Sequence, residues 1–299
     1  MKASREFLQS AGLMPGDPAE AATSSLRFPD GGQYRIEIPS TEGPRALAAV
    51  LDEAGKRGVP VHRVSQGSGI MLMTDAEIVE MVDIGRKAAV EVNLFLGPRA
   101  TFDIGAQVFA PAGKALGLSL RGADQLVFAL EDVRRAIGLG LNSVLVSDIG
   151  LLDLIGRMKS AGKLPGDLII KTSVMMAPAN PAAAALLERL GATTINIPSD
   201  LTIPQIAAIR AAIRAPIDFY VEAPDNIGGF IRYYEIPELI RVAAPIYLKF
   251  GLRNSPDIYP CGTHIEGTAL ALSRERVRRA EIAMETIRRY CPEAVMSPR

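Results

Sequence analysis

Eight short β-rich runs, each followed by a helix signal, leave this sequence few ways to fold. They are YRIEIPS (34–40), PVHRVSQ (60–66), VEVNLFLG (90–97), SVLVSD (143–148), LIIKTSV (168–174), TINIPSD (194–200), DFYVEAP (218–224) and IYLKFG (246–251). Between them stand segments with apolar residues at helical spacing, such as PRALAAVLDEAGKRG, TDAEIVEMVDIGRKA and IPELIRVAA, and SRERVRRAEIAMETIRRY closes the series. Helix boundaries are marked as well. Thr74 and Glu77 have capping-box spacing, Pro44, Pro181 and Pro204 sit at helix starts, and Gly58, Gly140, Gly162 and Gly191 sit at helix ends. Strand starts recur roughly every 25 to 30 residues, with one gap about twice as long between Val90 and Ser143.

That rhythm predicts an α/β fold, a (β/α)8 barrel over residues 33–299 with residues 1–32 as an N-terminal extension. A barrel of this kind takes about 250 residues. The long gap holds an insertion after the third strand, PRATFDIGAQVFAPAGKALGLSLRG, read as an active-site loop. A doubly wound open sheet is the other arrangement, but the first βα turn, PSTEGP, lacks the GxGxxG pattern. The extension is read as a plug for the barrel bottom or a contact for another subunit.

The strands carry charge where a parallel strand is normally apolar throughout. Residues facing the outer helices must be apolar, so the polar members of each strand are predicted to point inward. Arg35, Glu37, Glu91, Asn93, Lys171, Ser173, Asn196, Tyr220, Glu222, Tyr247 and Lys249 form that set. The second strand is ambiguous, with His62 and Gln66 on one face and Arg63 and Ser65 on the other. Buried charges cost several kcal/mol per ion unless paired, and such pairing is more often kept for chemistry than for stability. The plainer alternative is a neutral salt-bridge lattice that only fills the barrel. The candidate catalytic residues are Glu222, Lys249, Lys171 and Glu37. The candidate substrate contacts are Glu91, Asn93, Asn196, Tyr220, Tyr247, Arg253 and Gln66. Glu222 and Lys249 end neighbouring strands and are expected side by side at the C-terminal mouth.

Other features bound the function. With 33 basic and 33 acidic residues, the chain has no field to attract nucleic acid or an anionic membrane. The start, MKASREFLQS, has no apolar core, and no apolar stretch of ~18 residues occurs elsewhere, so a soluble, cytoplasmic protein is expected. Cys261 and Cys291 lack CxxC spacing, which argues against a cysteine-built zinc or iron–sulfur site. Glu37, Glu91, Asp148 and Glu222 offer oxygen ligands for Mg²⁺ or Mn²⁺, but Lys171 and Lys249 in the same lumen oppose a cation, and a site without metal or cofactor is expected. QGSG (66–69) either presents backbone N–H groups to an anion or is a plain turn. NIGGF (226–230) falls where barrels often hold phosphate. GLRNSPDIYPCGTHIEG, with Arg253, Asp257, Tyr259 and His264, is read as a lid. The apolar stretch AAPIYL and the N-terminal arm suggest a homo-oligomer.

The stretch TINIPSDLTIPQIAAIRAAI followed by IDFYVEAP resembles a segment of U32-type peptidases, over roughly Lys171 to Glu222. YRIEIPS, VHRVSQGSG and YLKFGLRNSPDIYP are similar to stretches of bacterial U32-like proteins. The resemblance implies a barrel fold. It does not transfer the family's activity, because the His-Gly and Cys expected after the seventh strand are replaced by Glu222-Ala223-Pro224, and the iron–sulfur cysteine cluster of some members is absent. Three readings follow. One is an enzyme using lysine and glutamate acid–base chemistry on a small polar metabolite, a carbonyl, amide or carboxylate compound, as a lyase or isomerase would. The others are a U32-like hydrolase and a ligand-binding barrel without catalysis.

Overall fold

The computed structural model describes residues 2–97 and 118–298; the insertion expected after the third strand lies, up to residue 117, outside the described residues. All eight expected strands form. They are β1 (Tyr34–Pro39), β2 (Arg63–Ser65), β3 (Glu91–Phe95), β4 (Ser143–Val146), β5 (Ile169–Thr172), β6 (Ile195–Asn196), β7 (Ile217–Glu222) and β8 (Ile246–Phe250). Every pairing is parallel, in the order β5-β4-β3-β2-β1-β8-β7-β6. A parallel bridge between Lys171 and Thr194 joins the two ends, with Thr193 N donating to Ile170 O at 2.8 Å and Thr172 N to Thr194 O at 3.1 Å. The chain is a (β/α)8 barrel. Strands β2 and β6 are shorter than their sequence runs, and Pro60 and Pro198, which have no N–H to give a ladder, lie outside them.

Nine α-helices accompany the strands among the described residues: α1 (Lys2–Ser10), α2 (Pro44–Arg57), α3 (Asp75–Ala88), α4 (Gly122–Gly138), α5 (Ile149–Ser160), α6 (Pro181–Arg189), α7 (Ile203–Ala212), α8 (Ile236–Ala243) and α9 (Glu266–Tyr290). Local chemistry sets their limits. The Thr74–Glu77 capping box opens α3, and a second box, Thr202 with Gln205, opens α7. Gly58 closes α2 in the left-handed conformation at φ 63°. Outward strand residues such as Ile36, Ile38, Val64, Leu94, Val144, Ile170, Phe219 and Leu248 are buried against helix residues such as Leu47, Ile78, Val133, Ile155, Ile206 and Leu239. Each such side chain contributes roughly 1.5–3 kcal/mol.

The bottom of the barrel is closed by both ends of the described chain. Phe28 packs edge-on against Tyr247, with ring centroids 5.2 Å apart, and the Arg35 guanidinium lies 4.1 Å from the Phe28 ring centroid. Arg35 also donates to Asp30 Oδ2 at 2.7 Å and Ser297 Oγ at 2.9 Å, while Tyr34 bridges Met296. The apolar run Ala243 to Leu248 is interior, buried through its whole length, so it is no surface for a second chain. Among the described residues no helix is long and apolar enough to cross a membrane.

Candidate functional site

Strand alternation brings six charged side chains, Glu37, Arg63, Glu91, Lys171, Asp218 and Lys249, into one ionic network inside the barrel. Glu37 on β1 is fully buried and central among them. Its Oε1 receives the Lys171 ammonium in a close ion pair, accepts from Ser65 Oγ at 2.5 Å and lies 3.6 Å from Lys249 Nζ. Its Oε2 faces Arg63 Nη1 at 3.3 Å. Arg63 extends the network to Glu91 Oε1 at 2.8 Å and Asp218 Oδ1 at 2.9 Å, and its guanidinium stacks 3.6 Å from the Tyr247 ring centroid. Asp218 in turn accepts from Thr194 Oγ1 at 2.6 Å. Phase on β2 is thereby settled: Arg63 and Ser65 point inward, while His62 takes the Ile36 N–H on its Nδ1 at the outer face.

Burial pulls the Lys171 ammonium down to about 8, with Glu37 opposing the shift and Lys249 adding to it. Burial alone would raise the Glu37 carboxyl, but Lys171, then Lys249 and Arg63, hold it well below the usual carboxylate range. The carboxylate is therefore the fixed charge of this cluster, and Lys171 is the amine whose proton is less firmly held.

Lys249 occupies the boundary between this lattice and an open space. Below it lies Glu37. Beside it, Asn196, oriented so that its amide N donates to Asp218 O at 3.2 Å, offers Oδ1 to Lys249 Nζ at 2.7 Å. The Tyr220 ring centroid is 4.1 Å from the ammonium. Above it opens a cavity of about 670 Å³ at the C-terminal mouth, lined by Ser65, Gln66, Ser173, Asn196, Tyr220, Lys249, Tyr259 and Arg276 among others. This is the end at which barrel enzymes place their reacting groups. Burial raises the Tyr220 and Tyr259 hydroxyls well above the ordinary tyrosine range, so both remain protonated at the cavity wall, where Tyr259 Oη shares a close hydrogen bond with Ser40 Oγ.

Several expectations are corrected. Glu222 does not stand beside Lys249. The register of β7 slips between Tyr220, opposite Lys249, and Glu222, opposite Phe250, which turns the Glu222 carboxylate out of the lumen. There it accepts from Tyr233 Oη at 2.9 Å and Arg253 N at 3.0 Å, with Arg279 Nε of α9 at 3.4 Å. Lys249 has Glu37 as its carboxylate instead. Tyr247, Glu91 and Arg35 belong to the lower barrel, because they come early in their strands; Tyr247 Oη accepts from Arg35 Nη1 at 3.0 Å. Asn93 is buried beside Ser143 Oγ at 2.8 Å. Arg253 binds Asp225 at 2.5 Å and ties the loop after β7 to the loop after β8. Gln66 both lines the cavity and holds its own turn, accepting from Gly69 N at 3.1 Å.

The loops also differ from expectation. The QGSG turn does receive an anion, but it is the chain's own Glu42, which accepts from Gly67 N at 2.7 Å, Ser68 N at 3.2 Å and Ser68 Oγ at 2.6 Å. NIGGF offers no phosphate cradle, since Gly229 turns its carbonyl to Arg253. Of the loop after β8, Gly251, Leu252 and residues 255–259 wall the cavity, whereas His264 is exposed. The four carboxylates considered as metal ligands do not converge. Asp148 caps α5 by accepting from Leu151 N at 2.8 Å, Glu222 faces outward, and Glu37 and Glu91 are held by cations. Among the described residues no group of three or more His, Cys, Asp or Glu side chains is placed to hold a metal ion.

Asp218 and Arg276 are the residues sequence reasoning passed over. Asp218 shares the phase of Tyr220 but opens its run, where it resembles a strand boundary. Arg276 belongs to the buried series Ala269, Ser273, Arg276, Ala280, Ala283 and Ile287 of α9, a spacing that marks the core face of a helix.

Sequence comparison bears on the same strands. The model of Peptidase family U32 matches residues 120–223. The middle of the chain is U32-like. That segment includes the stretch whose resemblance was read from the sequence, and it supplies Lys171, Ser173, Asn196, Asp218 and Tyr220 to the interior, whereas Glu37, Arg63, Lys249 and Arg276 lie beyond it. A solved U32 peptidase is 16% identical over 77% of this chain and 97% of its own, with a TM-score of 0.44. A Rubisco-like protein from Rhodopseudomonas palustris is 13% identical over 96% of this chain and 72% of its own, with a TM-score of 0.53, a likeness of fold alone. No curated protein matches the sequence.

Proposed function

We propose that this U32-like barrel is a cytoplasmic enzyme acting on a small polar metabolite with a carbonyl, amide or carboxylate group, and that Lys249 is its acid–base residue. The observation that carries the reading is the placement of Lys249, with its ammonium between a buried carboxylate and the cavity at the mouth. An amine there can give a proton to an oxygen that gains charge in the transition state, a contribution of roughly 10²–10⁴ in rate. Glu37 and Asn196 fix its position. Because Glu37 Oε1 is shared with Lys171, loss of the Lys249 proton leaves the carboxylate paired. An amine in this place also suits Schiff-base formation with a carbonyl.

A second reading, hydrolysis of an amide, is favoured by the family match over residues 120–223. Under it Lys249 polarises the amide carbonyl and water is the nucleophile. The test begins with thermal-shift screening of 2-oxo acids, hydroxy acids, primary amides and dipeptides, followed by turnover assays on the compounds that bind. Lys249→Met is expected to fold and bind but to lose at least 100-fold in kcat. Undiminished turnover by the folded variant would remove Lys249 from the chemistry, and turnover of dipeptides alone would select hydrolysis.

A further inference from the structure

The charges of the barrel lattice balance, with Glu37, Glu91 and Asp218 facing Arg63, Lys171 and Lys249. One cation on the cavity wall stands outside that balance. Arg276 of α9 is only 4% exposed, and its Nη1 donates to Ser40 O at 3.3 Å. Its Nε has no acceptor among the described residues. It makes no salt bridge among the described residues: Glu42, whose charge acts on it, also accepts from Gly67 and Ser68, while Asp225 and Asp257 of the same cavity hold Arg253 and the Tyr259 N–H, the latter at 3.1 Å.

A guanidinium keeps its charge under all ordinary conditions, and burying it without a counter-ion is strongly unfavourable. Burial does push the Arg276 guanidinium below its ordinary range, with Tyr259, Tyr220 and Glu42 opposing the shift. Such a group in a cavity wall is complete only when an anion joins it. We propose that Arg276 binds the carboxylate of the substrate, so that the metabolite taken by this cavity is a small carboxylic acid. This rests on the reading of the cavity as the substrate site.

Carboxylate is favoured over phosphate by what surrounds the arginine. Phosphate sites are built from runs of free backbone N–H groups. The run at this mouth among the described residues, Gly67 and Ser68, is already filled by Glu42. A single planar fork beside Tyr220 suits a planar monoanion.

The experiment is calorimetric titration of the full-length protein with 2-oxo and 2-hydroxy monocarboxylates of three to six carbons, each beside its primary amide, and with inorganic phosphate. We expect one or more acids to bind at least tenfold more tightly than the matching amide. Arg276→Gln should abolish that difference, and Lys249→Met should keep it. An acid bound no better than its amide, phosphate bound most tightly of all, or an unchanged ratio in Arg276→Gln would each overturn the assignment. Should Arg276→Gln fail to fold, the wild type decides: its Arg276 Nε–H resonance must shift with the acid and not with the amide, and a resonance that stays in place refutes the contact. Failure of the Lys249 reading shows separately, as normal turnover in Lys249→Met with the acid-to-amide ratio intact.

Discussion

Glu37 holds three cations with two oxygens, and both stability and chemistry pass through it. Glu37→Gln would leave Lys171, Lys249 and Arg63 around a neutral amide. Removing one member of a buried ionic network typically costs about 3–5 kcal/mol, and urea denaturation should show a loss of that size. The pH dependence has a definite sign. The folded carboxyl titrates below its ordinary value of 4.5, so the unfolded chain takes up protons first as pH falls. The stability that Glu37 contributes is complete above about pH 4.5 and drains away below it, and this acid-side slope should be shallower in Glu37→Gln. A double-mutant cycle locates the partner of Lys249. Glu37→Gln with Lys249→Met should couple by more than ~0.5 kcal/mol, whereas Glu222→Gln with Lys249→Met should be additive within that margin.

Among the elements, β7 decides what enters the lumen. Up to Tyr220 its alternation follows the barrel; beyond the slip in register, Glu222 becomes a clasp among the turn at Tyr233, the loop after β8 and α9. Glu222→Gln should therefore cost about 1–3 kcal/mol in unfolding while turnover on the eventual substrate stays near wild type, since the loss is of hydrogen bonds in the outer layer. Helix contacts are equally exacting. A Cβ on Gly156 of α5 would run into Leu190 O at the end of α6 and lie 3.1 Å from Leu190 C. Gly156→Ala should then lower stability by about 1–3 kcal/mol through overpacking, with the cavity untouched, as measured by urea denaturation beside ligand titration.

At the scale of the molecule, the barrel could be read in advance because its evidence is repetitive: eight runs at even spacing, with prolines and glycines marking the helices between them. The site was legible only in part. Glu37, Lys171, Asn196 and Lys249 were found by alternation, a rule that holds while a strand stays regular. It failed at Glu222, where one slip exchanges the faces, and it had nothing to say of Arg276, which arrives on a helix and not on a strand. Self-association stays a proposal of ours, now resting on α1, which buries none of its residues and leaves Phe7 72% exposed. Light scattering should give a multiple of 31.9 kDa, and the mass of one chain would refute it.

The even match of three acids to three bases inside the barrel bears on how this sequence can drift. A lone change at position 37, 63, 171 or 218 strands an opposite charge where water cannot reach it, so it should be purged before a second change can rescue it. In other chains built on this plan, those four positions should vary in concert, exchanging whole pairs for apolar residues or keeping them all. Position 276 answers to the ligand and not to the lattice, and should vary on its own, in step with what the cavity accepts.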